Sequence, residues 1–309
     1  MITSDIILQI LESVIIPVFL VTGVGYAIQR VTLIESSSLS SIVLHVFTPC
    51  LIFTLLLNDT FVADEWWKVS VVAVVSTLAL VAVSWGVSKT LGLSRELTTA
   101  FVLSTSFVNS GNYGLPVSFF AFGEKGLGIA VIFFVVTILL MLTLGVLVAS
   151  NDRGGFRQAV NSLLRLPLMY TILVALAIRL SGVNVPQPIL QAVNLMSQAA
   201  IPTLLVLLGM DLARSTVNKS HSINWKLVSL SSMIKLLLPI LFVSLITQAI
   251  GLGGVAGKVT LVQASMPTGV FMMLISMKYG GDSHFVTSAI VVSTLASVLT
   301  LTLLLSSLV

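Results

Sequence analysis

The chain is short of charge. Of its 309 residues only 8% are Asp, Glu, Lys or Arg, while 57% are hydrophobic and the mean hydropathy is +1.12. A soluble domain carries about 25% charged residues, so this sequence has too few ions to cover a water-facing surface and reads as an all-α integral membrane protein. The same shortage excludes large catalytic, nucleotide-binding or receptor ectodomains, because roughly ten spans of about 20 residues use nearly the whole length. Cysteine is nearly absent as well: Cys50 stands alone in an apolar run, which removes any disulfide framework within the chain and disfavours a metal site. There is no HExxH, GxSxG or P-loop and no pair of mid-span aspartates, so neither an enzyme nor an ATP-driven pump is expected, and no cofactor. A basic leader with a small-residue cleavage site is also missing, and the first apolar run is read as a span.

What remains is a succession of apolar runs. Spans are expected near residues 9–29, 38–58, 68–88, 97–121, 126–149, 163–182, 188–212, 226–250, 257–279 and 284–308. Short polar groups separate them, among them Glu35–Ser38, Asp64–Lys68 and Asn151–Gly155, and Trp66-Trp67 sit where an interfacial aromatic belt belongs. The net charge of +4 implies no nucleic acid, because in such a chain the placement of cations carries the meaning. Loops after the odd-numbered spans hold ten of the 15 Lys and Arg residues and loops after the even-numbered ones hold Lys68, Lys125, Arg179 and Lys258. The ten-cation side is therefore expected to be cytoplasmic, with both termini outside and the chain in the plasma membrane.

A cut near residue 155 gives two similar halves, 1–155 and 156–309. Pro17 and Pro167 open spans 1 and 6 at an offset of 150, and Pro49 and Pro202 interrupt spans 2 and 7 at an offset of 153. Asn109–Asn112 in span 4 aligns with Pro267–Val270 in span 9 at an offset of 158. Five spans is an odd number, so the second copy enters the membrane in the opposite sense, giving a 5+5 inverted repeat.

Spans 4 and 9 carry the unusual chemistry. Asn109-Ser110-Gly111-Asn112-Tyr113-Gly114-Leu115-Pro116 is polar and glycine-rich in mid-membrane, and Pro116 leaves the carbonyl of Asn112 without its helical partner. Pro267, followed by Thr268 and Gly269, does the same to Gln263. Two facing breaks would aim free N–H groups and positive dipole ends at one point, a site for an anion such as a carboxylate. The plainer reading is that the prolines kink ordinary helices and the asparagines join helix to helix. Lys235 lies near the bilayer middle, where it needs a partner: the substrate anion, a carboxylate, or the opened carbonyls of a broken helix. A lysine capping a helix end in the fold is the other reading. His45 and Gln198 each precede a proline by four residues and, with Gln263, are candidates for a polar pathway or a coupled Na+ or H+. Asp211 and Arg214 read as a local ion pair, and the Ser/Thr stripes of spans 3 and 10 as close helix packing.

The Asn109–Pro116 run, the Pro267-Thr268-Gly269 break and Lys235-Leu236-Leu237-Leu238-Pro239 together resemble the auxin efflux carrier family, which includes plant auxin exporters and bacterial malate or malonate permeases. The resemblance covers essentially the whole chain. It implies a fold shared with bile acid/sodium symporters: spans 1, 2, 6 and 7 as scaffold, spans 3–5 and 8–10 as a moving domain, and spans 4 and 9 crossing at their breaks. It also implies substrate contacts at Asn109 and Asn112, with Pro267 and Thr268 opposite. The short central loop near residues 150–162 and Met266 before Pro267 depart from the plant exporters, which turns the expectation toward a prokaryotic-type carrier.

The function expected is transport of a small organic anion by elevator-type alternating access, with Asn109, Ser110, Gly111, Asn112, Tyr113, Lys235, Pro267, Thr268 and Gly269 at the site. The alternatives are a sodium-coupled symporter of a larger amphipathic anion, a transporter-like sensor without flux, or a channel. The partners expected are the anion, the bilayer and, through the scaffold, a second copy of the chain.

Overall fold

The computed structural model describes residues 4–32, 34–57, 65–150, 167–215 and 224–308. Among them lie eleven helices and no strand beyond one isolated bridge between two residues. They are α1 (Ser4–Thr32), α2 (Ser36–Leu57), α3 (Trp66–Thr90), α4 (Arg95–Ser106), α5 (Ser110–Ala149), α6 (Pro167–Ser181), α7 (Gln187–Ser215), α8 (Trp225–Ala249), α9 (Gly254–Ala264), α10 (Phe271–Lys278) and α11 (Ser283–Leu308). Seven of these (α1, α2, α3, α5, α7, α8 and α11) are long and apolar enough to cross a membrane. The central loop, the repeat boundary near residue 155, residues 58 and 163–166 of the expected spans, and Asp64, Arg153, Arg157, Arg165 and Lys219 lie outside the described residues.

Local chemistry sets the helix starts. Ser94 Oγ accepts from the Leu97 N–H at 3.3 Å and so caps α4, and Asn224 Oδ1 accepts from the Leu227 N–H at 3.2 Å at the head of α8. Helix α5 is two arms rather than one rod. In a continuous helix residues 110 and 137 would stand about 40 Å apart, yet Ser110 Oγ and Thr137 Oγ1 are 2.8 Å apart. The chain turns back midway between them, at Gly123, whose φ of +64° favours glycine. The arm before Gly123 and α4 share the fourth expected run, and the arm after it fills the fifth. Helices α9 and α10 share the ninth.

Prolines behave less abruptly than the sequence suggests. Before Pro49 the helix absorbs the missing donor in an i→i+5 turn, with Thr48 N–H bonded to Val43 C=O, and α2 continues. In α7 the local disturbance is at Ala199, three residues ahead of Pro202.

Packing sorts the helices by contact. Helix α7 lies along α1, and α2 packs on α6 and the first half of α7; α3 packs on α4, α5 and α8, and α8 on α9 and α11. The α1–α7 contact is close enough to need glycine on both sides. A Cβ on Gly25 would fall 2.0 Å from Val206 O, and one on Gly209 would fall 1.9 Å from Thr22 O. Between membrane helices, where burial from water supplies no drive, such approach is what yields van der Waals contact. Cations bond carbonyls at or just beyond helix ends: Arg179 donates to Leu56 C=O at 2.8 Å, Lys68 to Gly251 C=O at 3.0 Å, and Lys258 to Leu308 C=O.

Candidate functional site

The two breaks meet. Helix α4 ends at Ser106, residues Phe107–Asn109 leave the helical path with Phe107 extended, and α5 begins at Ser110; α9 ends at Ala264 and α10 begins at Phe271. Val108 and Thr268 pair antiparallel, with Asn109 N–H donating to Pro267 C=O at 2.8 Å and Gly269 N–H donating to Phe107 C=O at 3.0 Å. Unwound backbone buried inside a membrane protein must find partners within it, and here each break supplies the other's. Gly269 has little room for a side chain, since a Cβ there would stand 3.0 Å from Val108 O.

The break in the fourth run therefore lies upstream of where proline chemistry alone places it. Pro116 follows an i→i+5 turn over Ser110–Gly114, in which the Leu115 N–H bonds Gly111 and Ser110 C=O, so the helix absorbs its missing donor, and the departure from helix is at Phe107–Asn109. In the ninth run, Gln263 C=O is not left open by Pro267, because Met266 N–H donates to it at 3.3 Å.

Around this crossing lies a cavity of about 260 Å³. Its inner wall is Asn109, Ser110, Gly111 and Asn112 at the head of α5 and Gly269 to Phe271 at the head of α10. The first backbone bond inside α5 is Gly114 N–H to Asn109 C=O at 3.0 Å, so the N–H groups of the preceding turn have no helical acceptor and carry the positive end of the dipole. Asn109 is 6% exposed and its amide Nδ2 is buried with no acceptor in the protein. The outer wall is Ser36, Ser37 and Ser40 of α2 with Asp211 and Arg214 of α7. There the Arg214 guanidinium donates to Ser36 Oγ at 2.5 Å, and the Asp211 carboxylate bonds the same hydroxyl. Asp211 and Arg214 thus meet through Ser36, on a cavity wall and not merely at the surface.

Five of the nine expected substrate-site residues (Asn109, Ser110, Gly111, Asn112 and Gly269) line this cavity. The other four stand behind it. Tyr113 is fully buried, its hydroxyl accepting from Ser297 Oγ at 3.2 Å and its ring edge-on to Phe19 at 6.0 Å. Pro267 gives its carbonyl to the bridge, and Thr268 donates its hydroxyl to Ser104 C=O at 2.8 Å and its N–H to Ser293 Oγ at 3.1 Å, closing the end of α4. Lys235 donates to Ala264 C=O at 3.3 Å. Gln263 reaches the α5 arm, donating to Ser118 Oγ at 3.1 Å. His45 lies on the exposed face of α2 with Nδ1 at 2.9 Å from Ser41 O, away from the crossing.

Sequence reasoning missed Thr137, which fixes Ser110, and the three serines of α2; they belong to helices that look ordinary until the fold brings them to the breaks. Gln198 lines a second cavity of about 430 Å³ with Thr54, Phe119, Phe120 and Glu124. The first arm of α5 connects the two, with residues 110–112 in one and 119–120 in the other. Among the described residues no three His, Cys, Asp or Glu side chains cluster as metal ligands would.

Comparison with known proteins finds relatives among membrane transporters. An uncharacterized transporter of Methanothermobacter thermautotrophicus is 24% identical over 271 residues, 87% of this chain and 88% of its own. An uncharacterized transporter of Methanocaldococcus jannaschii is 23% identical over 199 residues, 63% of each chain. The model of a family described as Membrane transport protein matches residues 10–162 and 156–305, and the chain belongs to that family, the auxin efflux carrier group that its fourth and ninth runs resemble.

Proposed function

We propose that the protein is a secondary carrier of a small organic anion, a mono- or dicarboxylate, which binds in the cavity at the crossing. One observation carries the reading: two helix N-termini and the amides of Asn109 and Asn112 converge on a small cavity whose inner wall holds no acid. Oriented N–H groups and amide donors stabilise a carboxylate without the dehydration penalty of a fixed counter-charge. A volume of about 260 Å³ suits a small ligand better than a large amphipathic one.

In this reading the eleven helices make ten membrane crossings, arranged as two inverted repeats with both termini outside. Helices α1, α2, α6 and α7 form the scaffold, and α3, α4, α5, α8, α9, α10 and α11 the moving body. The pairing of helices is consistent with this division. Separate cavities at the two ends of the first α5 arm support a path of this kind.

The test is thermal stabilisation of the purified protein by a panel of carboxylates, followed by counterflow in liposomes. A selective shift in the wild type that vanishes in Asn112→Ala, with the variant still melting cooperatively, is the expected result. Undiminished uptake by Asn112→Ala sinks the site. Binding without counterflow would favour a sensor.

A further inference from the structure

Lys235 is 1% exposed and lies ten residues into α8, about 15 Å from the helix start at 1.5 Å per residue. Its ammonium donates to the carbonyl of Ala264, the last residue of α9. The neighbouring carbonyls of that last turn are already engaged: Leu261 and Val262 accept from Ser265 N–H at 3.1 and 3.2 Å, and Gln263 from Met266 N–H at 3.3 Å. Ala264 C=O is the acceptor the break leaves over. Two buried hydroxyls without partners, Ser231 and Ser232, lie one turn back on the same helix, in the direction helical side chains lean.

No carboxylate neutralises this ammonium among the described residues. The ionisable side chains on the helices packed against α8 stand near helix ends: Lys68 and Lys89 on α3, Arg95 and Glu96 on α4, Lys258 on α9 and His284 on α11. What does face it is the C-terminus of a half-helix, equivalent to roughly half a negative charge. In carriers built on broken helices, such half-helix ends and unwound carbonyls are where the coupling sodium binds.

We propose that Lys235 is the carrier's built-in coupling cation: its ammonium occupies the half-helix end that a free sodium ion would otherwise take, and the substrate anion binds without sodium. The inference rests on the anion reading of the crossing cavity. Ala264 is three residues from Pro267, whose carbonyl holds the Asn109 N–H, so the ammonium and the bound anion lie on two sides of one short break. A unit charge about 10 Å away at an effective dielectric near 20 changes the anion's affinity on the order of tenfold. Because the cation is tethered, it travels in both directions. The loaded body crosses with lysine and monoanion cancelling, and the empty body returns carrying one net positive charge. The voltage-sensitive step is the empty return.

The experiment compares wild type, Lys235→Ala, Lys235→Met and Lys235→Arg by thermal shift with acetate, lactate, malonate and malate, each in equimolar sodium or choline chloride. Wild type and Lys235→Arg are expected to bind equally in both salts. Lys235→Met is expected to bind roughly tenfold more weakly. Lys235→Ala is expected to weaken likewise and to recover with sodium or ethylammonium, which leave the wild type unchanged. A sodium requirement in the wild type overturns the proposal, as does undiminished affinity in Lys235→Met or a loss in Lys235→Ala that no cation restores. If the alanine and methionine variants do not fold, the wild-type salt comparison and Lys235→Arg still decide it. If no carboxylate shifts the wild type, the cavity reading fails instead; sodium alone, stabilising Lys235→Ala but not the wild type, then still reports on the lysine.

Discussion

Replacing Asn109 with leucine should separate binding from stability. Leucine has the heavy-atom branching of asparagine, is bulkier, and neither donates nor accepts. Asn109 Nδ2 is buried without an acceptor in the empty protein, and an unsatisfied buried donor costs about 1–3 kcal/mol. Removing it leaves no stranded partner, and this gain offsets the cost of the added bulk, about 1–3 kcal/mol, so the melting temperature should stay close to the wild type's. With substrate present the balance reverses. A hydrogen bond to a charged acceptor is worth about 1.5–3 kcal/mol, and each 1.4 kcal/mol is about tenfold in affinity, so Asn109→Leu should bind the anion roughly 10- to 150-fold more weakly. The backbone contribution of Asn109 is untouched, because its N–H still donates to Pro267 C=O. The assay is a pair of titrations on detergent-purified protein: melting temperature without ligand, and ligand-induced stabilisation across a concentration series. Unchanged affinity, or a melting temperature several degrees lower with affinity intact, refutes the reasoning and makes Asn109 a structural residue.

Three further outcomes follow from the geometry. Gly209→Val places a side chain where a Cβ already falls 1.9 Å from Thr22 O, so α1 and α7 must separate; size-exclusion profiles should show loss of the folded monodisperse species, and a normal profile would mean the contact can yield. Thr137→Val removes the 2.8 Å bond to Ser110, which is worth about 1 kcal/mol; a melting temperature equal to the wild type's would show that Ser110 finds another partner. In a Cys50→Ala background, Ser37→Cys on the first cavity and Gln198→Cys on the second should change their rates of labelling by an impermeant maleimide in opposite directions when substrate is added. Changes of the same sign at both positions would count against alternating access.

The parts of the fold that depend on composition and local runs were legible in the sequence. Among the described residues each expected apolar run holds helix, with ends a few residues from the expected ones, because apolar length and short polar groups are read directly. The positions of the breaks were less accessible. Proline identifies a missing donor, yet whether the helix stops there depends on what the neighbours offer: before Pro49 and before Pro116 an i→i+5 turn absorbs the loss. The break at Phe107–Asn109 needs its partner strand at Pro267–Gly269, a contact between residues 158 apart in sequence. Thr268 shows the same limit. Beside a broken proline it looked like a substrate ligand, but its hydroxyl is consumed by Ser104 C=O. Asp211 and Arg214 looked like a surface pair because three residues separate them, and only the approach of α2 places Ser36 between them and turns both toward the cavity.

The bridge between the breaks also bears on how such a site can move. An unpaired peptide group in hydrocarbon costs several kcal/mol, so separating Phe107–Asn109 from Pro267–Gly269 during transport would expose two donors and two acceptors at once. The two hydrogen bonds, the Thr268 hydroxyl on α4 and the Lys235 ammonium on α9 therefore tie α4, α5, α8, α9 and α10 to one another. In the proposed carrier these helices would move as one body, and the sliding surface would be their contacts with α1 and α7. The serines of α2 and the Asp211–Ser36–Arg214 group would then stay with the scaffold, and an anion held by the helix heads would leave them as it travels. On that proposal binding strength belongs to the crossing, and the polar rim of α2 and α7 would select which anions enter.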